Sequence, residues 1–266
     1  MNWEELTGDQ FPEAAAAVQG VCLLPLACIE RHSHHLPLGT DMFIARELCR
    51  RTAALEPAIV FPDVVFTQIL EARHYPGTIA LQPDTFINLL ENIFDEITRN
   101  GLPKIVVVNA HGGNSPLLQF LAQIQLAQPR DYVLYIADHI PLLPEDEAAV
   151  SAQWETTVDG HAGENETSQI LAVHPELVHM ERIPSEPEGM PLGRLNHLSE
   201  RGIYTGIWWY ASHPTHYRGD AHPATAEKGQ RLLDAMARSL AATIRIIKED
   251  EVTKRLQDEF FAASER

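Results

Sequence analysis

The chain has 266 residues, 45% of them hydrophobic and 21% charged, an ordinary balance for a globular protein able to bury a substantial core. Its formal net charge of −17 argues against nucleic acid and anionic membrane surfaces as partners, since both require a basic patch. Three cysteines, Cys22, Cys28 and Cys49, form no Cys-x-x-Cys pair and make a poor disulfide framework, so a reducing cytoplasm is the expected compartment. The N-terminal stretch lacks a basic segment followed by an apolar one, so no signal peptide is expected, and no apolar run reaches membrane-spanning length.

In chain order, residues 21–28 form an apolar run that predicts a buried strand opening into a loop. Residues 41–48 have helical character, which puts Asp41 near a helix N-terminus. Residues 59–61 and 64–66 are strand candidates separated by Pro62-Asp63, and Tyr75-Pro76-Gly77-Thr78 is a turn. Residues 84–100 predict an amphipathic helix, with Phe86, Leu89, Leu90, Ile93, Phe94 and Ile97 recurring at three- and four-residue steps. Lys104-Ile105-Val106-Val107-Val108-Asn109 reads as a buried parallel strand that delivers His111 just past its end. A helix over 117–127, a strand over 132–136, a loop over 184–202 and a long helix over 224–248 complete the pattern, and the acidic tail is expected to fray. Strands alternating with helices imply βαβ units and a single α/β domain spanning 1–266. In such sheets ligands collect beyond the C-terminal strand ends, where the first two motifs below fall.

Three stretches carry the chemistry. They are Glu30-Arg31-His32-Ser33-His34-His35-Leu36-Pro37-Leu38-Gly39-Thr40-Asp41, then Asn109-Ala110-His111-Gly112-Gly113-Asn114, then His161-Ala162-Gly163-Glu164-Asn165-Glu166-Thr167-Ser168. Zinc and manganese accept imidazole nitrogen and carboxylate oxygen, and Glu30, His32, Asp41, His111 and Glu166 supply enough of both for two ions sharing a hydroxide. A nearby His or Glu then moves protons to a leaving nitrogen. His32, His34 and His35 cannot all be ligands, so some of them serve by hydrogen bonding. Trp208, Trp209 and Tyr210 read either as pocket lining or as core or interface aromatics. The segment holding His213, His216 and His222 reads equally as site mouth or surface loop, and Lys228 falls early in the last helix.

Taken together and in this order, these motifs resemble those of the creatininase (creatinine amidohydrolase) family. Pro76-Gly77-Thr78, Gly219-Asp220 and Ala224-Thr225-Ala226-Glu227-Lys228-Gly229 extend the match over roughly residues 20–230. The resemblance implies a three-layer α/β/α domain with a mainly parallel central sheet, a homo-oligomer such as a hexamer, and two divalent ions, Zn and/or Mn, with Fe as a further option. It implies that Glu30 and His111 bind one ion, that His32 and Glu166 bind the other, and that Asp41 bridges them. His161 takes the proton-transfer position, and Glu164 of the same motif is the second catalytic candidate. The chain departs from the family at Arg31, where Gln is common, at His34, where Pro is usual, and at Ala72, where many relatives have His. Creatininases proper carry a glutamate where this chain has Gly113. Their aromatic clamp lies just upstream of the third motif, where only Trp154 is near, since Thr157 and Val158 are not aromatic. The His-Gly-Gly-Asn form belongs to the broader family, which includes deformylases of formylamino-pyrimidines and a peptidase-like maturation enzyme. The expected activity is metal-dependent cleavage of a C–N bond in a small cyclic amide or formamide. A deformylase or peptidase, or an inactive metal-binding scaffold, is the alternative.

Overall fold

A computed structural model describes residues 1–264. In chain order the elements are α1 (Phe11–Ala17), β1 (Val21–Leu26), α2 (Thr40–Leu55), β2 (Ile59–Val60), α3 (Pro83–Arg99), β3 (Lys104–Asn109), α4 (Ser115–Ile124) and β4 (Val133–Ala137). There follow α5 (Pro144–Ser151), β5 (Asp159–His161), α6 (Glu164–Val173), α7 (Asn196–Ser199), α8 (Trp208–Ser212), β6 (Arg218–Gly219), α9 (Ala226–Glu249) and α10 (Val252–Ser264). No helix among the described residues is long and apolar enough to cross a membrane.

β1 to β4 form one parallel sheet in the order β2-β1-β3-β4. Alternate side chains of β1 and β3 feed opposite faces, as strand geometry requires. On one face Cys22, Leu24, Ile105 and Val107 pack with Phe86, Leu90 and Phe94 of α3 and Leu118 of α4. On the other, Leu23, Val106 and Val108 meet Leu48 of α2 and Leu240 and Ile244 of α9. The result is a three-layer α/β/α arrangement.

The strand order places the site. From β1 the chain winds outward to β2, then crosses back to β3 and on to β4. The switch point between the two directions lies between β1 and β3, and Leu26 stands opposite Asn109, so both strands end at one level. The loops that leave there part in opposite directions and open a crevice. A small antiparallel pair, β5 with β6, brings Gly160, His161 and Arg218 to its wall. Behind it, α6 packs on α9 so closely that a Cβ at Gly229 would overlap the Ser168 carbonyl oxygen. The late Gly229 of the family-like motif is thus a packing requirement.

Residues 64–66 do not form the second strand expected there. Only Val64 bridges to Leu26, its amide donating to the Pro25 carbonyl and its carbonyl accepting from the Ala27 amide, both at 3.0 Å, while Pro62 separates it from β2. The loop expected over 184–202 holds a 3-10 turn, Glu186–Gly189, and the one-turn α7. β5 and β6 are too short for a period to register in the sequence. The described part of the acidic tail forms α10: Asp250 accepts hydrogen bonds from the amides of Val252 (2.8 Å) and Thr253 (3.1 Å), which starts that helix. The Tyr135 hydroxyl, 2.9 Å from Asp250 Oδ2, ties that cap to β4.

Two outcomes follow from this packing. Gly229→Ala should destabilise the fold by roughly 1–3 kcal/mol in chemical denaturation, since α9 must back away from α6. Hydrogen bonds from the Thr253 side chain and amide, then from Tyr135, hold the Asp250 carboxyl down at about 2. A carboxyl lowered on folding stabilises above its unfolded value of about 3.9 and loses that contribution as pH falls toward its folded value. Amide protection factors in α10, with the intrinsic pH dependence of exchange divided out, should therefore be steady above about pH 5 and fall as pH drops through about 4 toward 2. Asp250→Ala, which removes the cap acceptor, should lower that protection already at neutral pH.

Candidate metal centre

β1 ends at Leu26, and the chain turns through Cys28 to Glu30 and His32, all buried. It re-enters at Thr40, where Asp41 occupies the first turn of α2 and is also buried. A helix N-terminus favours a carboxylate there. His111 follows β3, on a turn built by its own motif. Asn109 donates to the His111 carbonyl (2.8 Å) and to Asp138 (2.7 Å), and accepts from Asn114 (3.2 Å). Glu166 comes from the first turn of α6 and accepts from the Ala162 amide at 2.6 Å.

The five expected ligands meet in two groups joined by Asp41. Glu30 Oε1 lies 2.8 Å from His111 Nδ1, and Asp41 Oδ2 lies 3.3 Å from the same nitrogen. The other Asp41 oxygen, Oδ1, is 3.0 Å from His32 Nε2, which is 3.6 Å from Glu166 Oε2. His161 stands between the groups, its Nε2 4.0 Å from Glu30 Oε2. Its ring centroid lies 4.2 Å from that of His32.

Carboxylates packed this tightly need positive charge among them. Burial opposes charge on Glu30, yet His111 and His161 beside it, with hydrogen bonds from His111 and His216, hold its carboxyl well below the usual range. Burial likewise opposes protonation of His32, but Asp41 outweighs it and lifts the imidazole to about 10. For Glu166 burial prevails over His32 and raises the carboxyl to about 7. A divalent ion bonded to the same atoms supplies the positive charge with the imidazoles neutral, and the mixed N/O donors of each group suit zinc or manganese. The buried residues therefore fit two such ions.

The remaining histidines divide. His35 is buried, its Nε2 2.9 Å from the Thr167 hydroxyl, which clips the first motif to the third. His34 pairs with the Arg31 guanidinium at 2.8 Å, and Arg31 stacks over Tyr75 at 4.3 Å. His161 Nε2 lies 2.9 Å from the Arg31 carbonyl, which can only accept, so Nε2 carries the hydrogen and Nδ1 is the free acceptor. Burial, then the charge of His32, push the His161 imidazole down to about 3.

Glu164 faces away from this cluster. Its carboxylate accepts from the Thr156 amide (3.0 Å) and hydroxyl (2.9 Å), the Glu155 amide (3.0 Å) and Lys228 Nζ (2.5 Å). Burial raises its carboxyl, but the Lys228 and Thr156 bonds more than offset that and leave it lowered. Lys228 thus joins α9 to α6 rather than entering the site.

His216, whose segment reads in sequence equally as site mouth or surface loop, is a partner of the centre. It is 2% exposed, and its Nε2 lies 2.5 Å from Glu30 Oε2. The Trp209 indole donates to its Nδ1 at 2.7 Å, which fixes the tautomer that gives the Nε2 hydrogen to Glu30. Trp209, Trp208 and Tyr210 line a cavity of about 680 Å³ above the cluster. Trp154 packs instead beside Val150 and Leu232, under α5 and α9. Three of the four non-glycine residues with positive φ among the described residues, Ser33, Ala162 and His216, sit in these loops. Such backbone settings cluster at functional sites. Gly113 lies against the centre too: a Cβ there would overlap Glu71 Oε1 and His111 Nε2. The Glu71 carboxylate fills the space that a longer side chain at 113 would need.

The fold and this cluster of buried donors define a metal-binding hydrolase of the α/β/α class. The chain belongs to the creatininase family: the family described as "Creatininase: Creatinine amidohydrolase" matches residues 4–244. The creatinine amidohydrolase of Pseudomonas putida is 26% identical over 69% of this chain and 75% of its own length. A mycofactocin precursor peptide peptidase of Mycobacterium ulcerans is 28% identical over 86% of this chain and 85% of its own. A solved structure described as "Creatininase Mn" superposes with a TM-score of 0.74 at 23% identity, over 94% of this chain and 99% of that one.

Gly113→Ala should force Glu71 and His111 apart. Bound metal, read by elemental analysis after dialysis against limiting zinc, should fall with an affinity loss of roughly 10–100-fold.

Proposed function

We propose that this chain is a dinuclear metal-dependent amidohydrolase that cleaves a C–N bond in a small cyclic amide or formamide. The observation that carries this reading is the split of Asp41, whose two oxygens face different histidines, His32 and His111. A carboxylate shared in this way is the bridge that a two-ion centre needs. Glu30 and His111 would hold one ion, His32 and Glu166 the other, with Zn or Mn suited to both and Fe a further option. Ions bound there would supply an activated water and polarise the scissile carbonyl.

The chain's own groups do the rest. His161, neutral and with Nδ1 free, takes a proton and passes it to the departing nitrogen. His216 fixes the Glu30 carboxylate through the Trp209 tautomer lock. Glu164 acts through position: it anchors the turn at 155–156 and the start of α6, on which Glu166 rides. The aromatic side chains of α8 wall the cavity and exclude water. One domain, a reducing cytoplasm that suits three buried free thiols, and a homo-oligomer complete the reading. Ile203, Tyr204 and Ile207, 56%, 73% and 57% exposed beside the cavity, supply an apolar surface for self-association.

One observation favours a second reading of the substrate. A cavity of about 680 Å³ is of the size that encloses drug-sized ligands, well beyond a single small ring. A peptide or a larger formamide fits that space better than creatinine does. Creatinine, formamido compounds and short peptides, assayed side by side, separate the two.

Chelation should abolish hydrolysis, and added Mn or Zn should restore it. Glu30→Gln should lower bound metal from two ions per chain toward one. Turnover that survives complete metal removal, or a Glu30→Gln protein with unchanged metal content, would defeat the reading.

A further inference from the structure

Cys28 stands at the centre without a part in the scheme above. It is 0% exposed and two residues ahead of Glu30 on the turn out of β1. Its Sγ lies 3.1 Å from Asp41 Oδ2 and 3.3 Å from Glu30 Oε1. These are the same two oxygens that face His111 Nδ1, at 3.3 and 2.8 Å. Sulfur, two oxygens and nitrogen therefore form one knot of donor atoms, all within 4.8 Å of one another. An ion with bonds of about 2.0–2.3 Å and near-tetrahedral angles between neighbouring protein donors separates them by roughly 3.3–3.7 Å, and expansion to five-coordinate leaves a position for the water of the two-ion reading. The observed spacings of 2.8 to 3.3 Å reach that range with small outward shifts.

We propose that Cys28 is a fourth ligand to the ion held by Glu30, Asp41 and His111, through its thiolate sulfur; this rests on the two-ion reading of the centre. On binding, the S–H bond breaks, the metal–sulfur bond forms, and the proton leaves to solvent. The positive ion replaces the proton that the thiol otherwise shares with the two carboxylates, so the sulfur is not left as an unpaired buried anion. One ion then has a sulfur donor and the other has only N and O. The consequence is a difference in metal preference between the two positions: the Cys28 side favours Zn, Co(II) or Fe(II), and the His32–Glu166 side tolerates Mn.

Cobalt reports this directly, because thiolate bound to Co(II) gives a near-ultraviolet charge-transfer band that N and O ligands do not give. Full-length protein stripped with chelator would be titrated with Co(II) and followed by absorption. The expected result is that band at the first equivalent, its loss in Cys28→Ser and Cys28→Ala, and visible d–d bands that persist in both variants. Cys22 and Cys49 remain in the variants as controls, each buried in one of the two sheet faces away from the cluster. In competition, Cys28→Ser should shift the zinc-over-manganese preference roughly tenfold toward manganese. Visible bands without the charge-transfer band in the native protein would overturn Cys28 ligation and leave the two-ion reading standing. Failure to bind cobalt at all would overturn both. Near-ultraviolet circular dichroism of the variants checks that they fold.

Discussion

The buried Asp41 carboxylate is held between two histidines that come from different sides of a sheet crevice, and the rest of the centre is arranged around that sharing. His32 reaches it from the loop after β1, and His111 from the loop after β3. The two loops leave strands that end level with one another, because Leu26 pairs with Asn109 in a parallel register. Asp41 itself is fixed by the first turn of α2. A one-residue slip between β1 and β3 would turn alternate side chains to the wrong face and separate the two histidines. The sheet register, the helix start and the charge cluster are thus parts of a single constraint.

Around that constraint lies a layer of polar groups whose task is orientation. His35 with Thr167, Asn109 with Asn114 and Asp138, and Glu164 with Lys228 and Thr156 each bind two chain segments together. Each is buried or half-buried, so each bond is worth more than its exposed counterpart, and losing one partner strands the other. The departures from creatininase motifs have physical correlates. Gly113 is small because the Glu71 carboxylate stands where its side chain would go. The aromatic wall comes from α8 instead of the stretch before the third motif.

Much of this was legible in the sequence. The apolar runs marked β1, β3 and β4, and the spacing of Phe86, Leu90 and Phe94 marked α3, because each buries a regular face. Glu30, His32, Asp41, His111 and Glu166 stood out because donor residues at strand ends have few other uses. What escaped depends on contacts between distant segments. His216 meets Glu30 across 186 positions, and no local pattern signals that pairing. Cys28 looked like one more apolar residue in a buried run. Glu164 and Glu166 are indistinguishable in a helix-start motif, yet their side chains point to opposite partners. The helix in the tail depends on Asp250 and Tyr135, a cap and a tertiary contact, and the contact has no local signature.

The long span between Glu30 and His216 also bears on how the protein is made. The donors, together with His216, come from residues 28–41, 111, 161–166 and 216, and α9, which covers one face of the sheet and brings Lys228, follows all of them. During synthesis the first histidines emerge long before the groups that orient them, and such non-local closure is slow. An ion captured early would meet only loosely held donors, with no sheet register to set their spacing. The centre can therefore acquire its selectivity only once α9 has left the ribosome, and metal choice becomes a property of the folded sheet and helices rather than of the motifs.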